Sequence, residues 1–159
     1  MKDTRLTEID ARLLTTLARD RWGGLNTVAE TLGVPVSTVR ERLRDLETSG
    51  VISGYMPRLN YDALGFDVTA IFELEIAANA LSEITSKLRD DRRMVAIYRV
   101  TGDHDVVAIG KYENTTEMSD QVQAFMTNSA IEQTNVSVVF EAISEFEPME
   151  FESVASIRS

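Results

Sequence analysis

Ser37, Thr38, Arg40, Arg42 and Arg44 crowd into one short stretch of the chain, and their chemistry suits a polyanion. Hydroxyls reach phosphates or base edges, and a guanidinium pairs bidentately with guanine in a major groove. A second polar group, Gly102-Asp103-His104-Asp105, holds the only histidine. Its composition suits a hairpin turn. The two carboxylates beside His104 also raise a metal site or a pH sensor, a thin case with one imidazole. Catalysis has less support still. There is no cysteine, and we find no Ser/His/Asp arrangement and no Gly-rich phosphate loop. Glu73 and Glu75 read as neighbours on one sheet face rather than an acid/base couple. No enzyme activity, cofactor or bound metal is expected.

The arginine stretch is positioned by apolar stripes. Val39, Leu43 and Leu46 fall at helical spacing, with the arginines off that stripe. A shorter helix precedes it, with Leu25, Val28, Ala29 and Leu32 on one face and Gly33 where a C-terminus favours positive φ. Val34-Pro35 restarts the chain, since proline is accepted in a helix's first turn. Upstream, Thr7 and Asp10 have capping-box spacing before Ile9, Leu13, Leu14 and Leu17. Gly50 ends the third helix, and Val51, Ile52 and Tyr55 begin an extended strand that Pro57 keeps from turning helical. Three helices and a strand in this order predict a winged helix-turn-helix. The alternative is a plain three-helix bundle whose arginines, interleaved with Glu41 and Asp45, form a solvated face.

Beyond residue 65 the apolar period becomes two. Val68 to Ile76, Met94 to Thr101, Val106 to Tyr112 and Val136 to Phe146 predict four strands. Leu81, Ile84 and Leu88, then Met118, Val122 and Phe125, predict the intervening helices. The order βαββαβ is that of an α+β, ferredoxin-like domain. With Phe72, Leu74, Tyr98 and Phe140 under the helices, the other face presents Ile71, Val95, Ile97, Val107, Ile109, Val139 and Ile143. Glu73, Glu75, Arg99, Lys111 and Glu141 would rim it. Soluble monomers rarely expose so large an apolar patch, so a homodimer is expected. Two recognition helices spaced by such a dimer suit a palindromic site on double-stranded DNA.

The expected domains are residues 1–53 for DNA binding, 54–65 as linker strand and hinge, 66–147 for effector binding and oligomerisation, and 148–159 as a tail. The tail reads as a strand end followed by a frayed segment. With no signal-peptide pattern and no apolar run near the roughly 20 residues that span a bilayer, a cytoplasmic location is expected. Residues 1–60 carry 9 Lys+Arg against 8 Asp+Glu, whereas the remainder carries 7 against 18, for a net charge of −10. The acid sits away from the reading head, yet opposes approach to DNA. A salt-adapted host would resolve the tension, because repulsion is screened within about 3 Å at 1 M salt.

From Ile9 to Leu64 the motifs IDARLLTTLARD, LGVPVSTVRERLRDLE and SGVISGYMPRLNYDALG resemble the leucine-responsive regulatory protein/AsnC family of prokaryotic transcription regulators. The resemblance extends from Gly65 to Ile143, centring on Gly102-Asp103-His104-Asp105 and Thr134, and implies the family's RAM/ACT-like domain. On the reading of this helix as a recognition helix, Arg40 and Arg44 are expected to contact phosphate or base and Ser37 and Thr38 to position the helix, while Arg42, beside the Val39/Leu43 stripe, is either a further DNA contact or partly structural. Trp22 stands where the family has the arginine of an Asp-x-Arg turn, which shifts that phosphate contact to Arg21. Pro35 replaces the family's serine cap. In the family, amino acids bind where dimers meet, near the loop corresponding to Gly102–Asp105. Gly102 would let the ligand approach the backbone, and Asp103 or Asp105 would accept from its ammonium. His104 replaces the family's aromatic, and Val136 its second threonine. Tetramers or octamers of this fold are implied as well. Two rival readings stand beside an effector-responsive regulator: a DNA-independent amino-acid receptor, and a metal-dependent repressor using His104.

Overall fold

The structure, a computed structural model, describes residues 6–19 and 23–149. The described residues form two compact units, one of residues 6–19, 23–57 and 144–149, the other of residues 58–143.

The first unit holds α1 (Glu8–Arg19), α2 (Leu25–Leu32) and α3 (Val36–Thr48). The capping box before α1 forms as its spacing predicts: Asp10 Oδ2 accepts from the Thr7 backbone N–H at 2.9 Å, and the Asp10 N–H donates to Thr7 Oγ1 at 3.2 Å. Leu13 and Leu14 of α1, Val28, Ala29 and Leu32 of α2, and Val39, Leu43 and Leu46 of α3 make one core. Gly33 is left-handed at φ 69°. Its N–H donates to Glu30 O and that of Val34 to Ala29 O, so two carbonyls orphaned at the end of α2 are satisfied. Pro35 caps α3, its carbonyl accepting from Thr38 and Val39.

The strand expected at Val51, Ile52 and Tyr55 does not form. Residues 51–60 are irregular, and the expected wing is missing among the described residues. An extended segment is stable as a strand only when a neighbour completes its ladder, and Pro57 has no N–H to offer one. Instead the Ile52 N–H turns back to Leu46 O, and Tyr55 Oη donates to Glu47 Oε1 at 2.7 Å.

The second unit runs β1 (Val68–Ile76), α4 (Leu81–Asp90), β2 (Met94–Arg99), β3 (Val106–Tyr112), α5 (Thr115–Met126) and β4 (Ile131–Val138). The sheet is antiparallel in the order β2-β3-β1-β4, the arrangement of a ferredoxin-like α+β fold. Phe72 and Leu74 of β1 are fully buried with Ile84 and Leu88 of α4 and Phe125 of α5. Phe72 meets Phe125 and Tyr112 edge-on, at 5.2 and 6.1 Å.

Two strand expectations are corrected. The fourth strand is Ile131–Val138 rather than Val136–Phe146, and Phe140 and Ile143 lie beyond it, fully exposed. In β2, Met94 pairs with Gly110 but Ala96 with Ile109, leaving Val95 as an extra residue. This bulge reverses the strand's parity. Ile97 therefore packs on the helix-side core opposite Ala108, while Ala96 and Tyr98 join Ile71, Val107 and Ile109 on the open face. Arg99 moves to the helix-side parity opposite Val106. Lys111 stays on the open face but is buried, with its ammonium 5.3 Å from the Tyr61 ring.

A polar cluster closes the helix side. Arg93 grips Asp91 through Nε and Nη2, each at 3.0 Å, donates to Gln121 Oε1 at 2.9 Å, and lies over the Tyr112 ring. Burial pushes the Asp91 carboxyl up, but the hydrogen bonds and charge of Arg93 outweigh it and hold the group below its ordinary value. The Tyr112 ring folds back over Gly110, where a Cβ would stand 2.7 Å from Tyr112 Oη. Burial holds that phenol well above its usual range.

Candidate functional site

Helix α3 presents the first group of site residues. Ser37, Arg40 and Arg44 are exposed, and Thr38 is half-buried. Arg40 and Arg44, four residues apart, share a face and make no ion pair among the described residues. Arg42 behaves differently. Its Nε lies 3.9 Å from the buried Asp10 Oδ1 and its Nη1 3.8 Å from Asp45 Oδ2. The structure thus brings Ser37, Arg40 and Arg44 together and turns Arg42 towards α1. Arg21 and Trp22 lie outside the described residues.

The second group sits between β2 and β3. Gly102 adopts φ 124°, a conformation L side chains rarely take, and Asp103 is exposed beside it. Asp105 is tied to the sheet at three points. Its Oδ2 accepts from the Ile76 N–H at 2.8 Å, its N–H donates to Leu74 O at 2.9 Å, and its carbonyl accepts from the Val100 N–H at 3.0 Å. One oxygen expected to meet an effector's ammonium therefore serves the backbone of β1.

His104 Nε2 lies 3.0 Å from Asn135 Nδ2 of β4, across 31 residues of sequence. Asn135 pairs with Glu73 and so stands on the open face. Thr134, expected just before the last strand, lies within β4 opposite Leu74 and shares the helix-side parity. The loop and Asn135 come together, whereas Thr134 points the other way. Asn135 was missed because nothing in its sequence neighbourhood marks a partner so distant. Among the described residues, no group of three or more Asp, Glu, His or Cys side chains gathers in a form able to hold a metal ion. Nor is any described helix long and apolar enough to cross a membrane.

The chain thus joins a helical unit that bears an exposed arginine face to an α+β unit that carries a loop-edged open sheet. The Lrp/AsnC ligand binding domain profile matches residues 69–149, nearly the whole of the sheet. An uncharacterised HTH-type transcriptional regulator of Pyrococcus abyssi is 34% identical over 140 residues, covering 88% of this chain and 95% of that relative. The feast or famine regulatory protein of M. tuberculosis, complexed with L-methionine, superposes with a TM-score of 0.79 at 25% identity, over 88% of this chain and 95% of that one. LrpC of B. subtilis shares the fold with a TM-score of 0.81 at 22% identity, over 89% and 99% of the two chains.

The chain belongs to the Lrp/AsnC family.

Proposed function

We propose that this chain is a sequence-specific DNA-binding transcription regulator whose assembly or DNA affinity responds to a small effector, an amino acid. The observation that carries the reading is the face of α3, where two guanidiniums with no ion pair among the described residues stand beside the exposed hydroxyl of Ser37. Arg40 and Arg44 contact phosphates or bases, and Ser37 and Thr38 seat the helix. The helix-turn-helix is the reading head, and the HTH-type relatives support that role.

The effector site is the open-face edge formed by Gly102, Asp103, His104 and Asn135, a reading supported by the methionine complex of the M. tuberculosis relative. A second copy covers Ile71, Val107, Ile109, Ala96 and Tyr98, giving an isologous dimer able to build tetramers or octamers. Effector binding shifts the balance between dimer arrangements by differential affinity. The reading places the protein in the cytoplasm.

Fluorescence anisotropy with the DNA upstream of its own gene, against scrambled duplex, tests this across salt and with pooled amino acids. Specific binding moved by one pool is expected. Exchanging Arg40 and Arg44 for alanine should lower the salt slope by about 0.9 for each phosphate no longer neutralised. Amino-acid binding without duplex preference would instead make the chain a receptor.

A further inference from the structure

Helix α1 carries, two residues apart, one charged group directed at each of the other helices of its unit. Arg12 Nη2 donates to Leu32 O, the carbonyl that ends α2, at 3.3 Å. Asp10 is only 5% exposed. Its Oδ2 accepts from the backbone and hydroxyl of Thr7, but its buried Oδ1 accepts no hydrogen bond. The cation beside that oxygen is Arg42, whose side chain is 37% exposed. A buried carboxylate oxygen without a donor is costly, and a facing charge offsets the cost only while the two helices keep their relative roll.

The buried stripe of α3 sets which side of the helix faces the core, and because hydrophobic contact is itself non-directional, a directed charge pair narrows the roll that remains. Arg42 also lies about 200° around the helix from Arg40 and from Arg44, which stand only about 40° apart. A groove that receives Arg40 and Arg44 does not receive Arg42. We infer that Arg42 is a positioning residue and not a DNA contact: with Asp10 it fixes the rotation of α3, and so the direction in which Arg40 and Arg44 point. This rests on the reading of α3 as the DNA-reading helix.

The test uses the full chain. Arg42→Gln, Asp10→Asn and the double variant are compared with Arg40→Ala by anisotropy on upstream and scrambled duplex across salt, well below each variant's unfolding temperature. Arg42→Gln is expected to cut the upstream-to-scrambled affinity ratio about tenfold, the size of one weakened base contact, with the salt slope unchanged. Arg40→Ala is expected to lower the slope. The double variant is expected to regain part of the ratio, since it no longer buries an uncompensated carboxylate.

A lowered slope in Arg42→Gln would make it a phosphate contact and overturn the inference. An unchanged ratio with only a lower Tm would reduce the pair to ordinary packing and overturn it equally. The same variants form a thermal double-mutant cycle that needs no DNA, and additive Tm changes there also overturn it. A wild-type chain that ignores duplex sequence sinks the regulator reading itself, and is recognised before any variant is compared.

Discussion

Replacing Asp105 with alanine should cost stability before it costs ligand. The carboxylate accepts a charge-assisted hydrogen bond from the Ile76 N–H at 2.8 Å, at the end of the central strand. Ile76 is buried, so alanine leaves a donor without its acceptor. Such a loss costs about 1–3 kcal/mol, and a value near 2 kcal/mol fits a site whose loop is half open to water. For a unit of this size that lowers Tm by roughly 8–16 °C. Exchange of the Ile76 amide, read by hydrogen–deuterium NMR, should accelerate by about 30-fold if opening follows the same free energy. Asparagine keeps an acceptor oxygen and loses only the charge, so Asp105→Asn should fall about halfway. An alanine variant with unchanged Tm and a still-protected Ile76 amide would refute the structural role and return Asp105 to the effector.

Gly110→Ala should destabilise the second unit by about 2 kcal/mol through overpacking, because the new methyl meets Tyr112 Oη at 2.7 Å; an unchanged melting curve would show that the ring moves freely. Arg93 holds the Asp91 carboxyl below its ordinary value of 3.8, so the pair's contribution is present above that value and is lost as the pH falls through the lower folded one. The Tm gap between wild type and Arg93→Gln should therefore narrow from about pH 5 to about pH 2. If the proposed open-face dimer forms, Ile109→Glu, which sets a charge at the centre of that face, should shift sedimentation towards monomer; an unaltered dimer would mean that another surface holds it.

The sequence showed the helical unit well because its signals are local. Thr7 and Asp10 cap one helix, Gly33 and Gly50 take the positive φ that ends two others, and the Val39/Leu43/Leu46 stripe is buried as spaced. The sheet was legible in its order of elements but not in its edges. β4 is an edge strand whose open face is polar at Gln133, Asn135 and Ser137, so its alternation is faint. The stronger alternation from Val136 to Phe146 drew the prediction past the point where pairing with β1 stops. Tyr98 and Ile97 were placed on the wrong faces because a bulge leaves no periodic trace until parity has changed. At the site, Gly102 was readable from residue type. The tie from Asp105 to Ile76 and that from His104 to Asn135 join segments far apart in sequence, and no local spacing encodes them.

The extra residue at Val95 also bears on how the sequence tolerates change. Deleting Val95 would let Met94 and Ala96 pair in succession with Gly110 and Ile109 and leave Ile97 and Tyr98 on their present faces, whereas a further residue inserted without a second bulge would drive Tyr98 against the helices and Ile97 into the open. Lengthening the turn after Arg99 would carry no such penalty. Insertions and deletions a few positions apart in β2 are thus unequal events. A relative that lacks a residue here should run one unbroken alternation through the strand, so that roles transfer between two sequences only after that gap is placed.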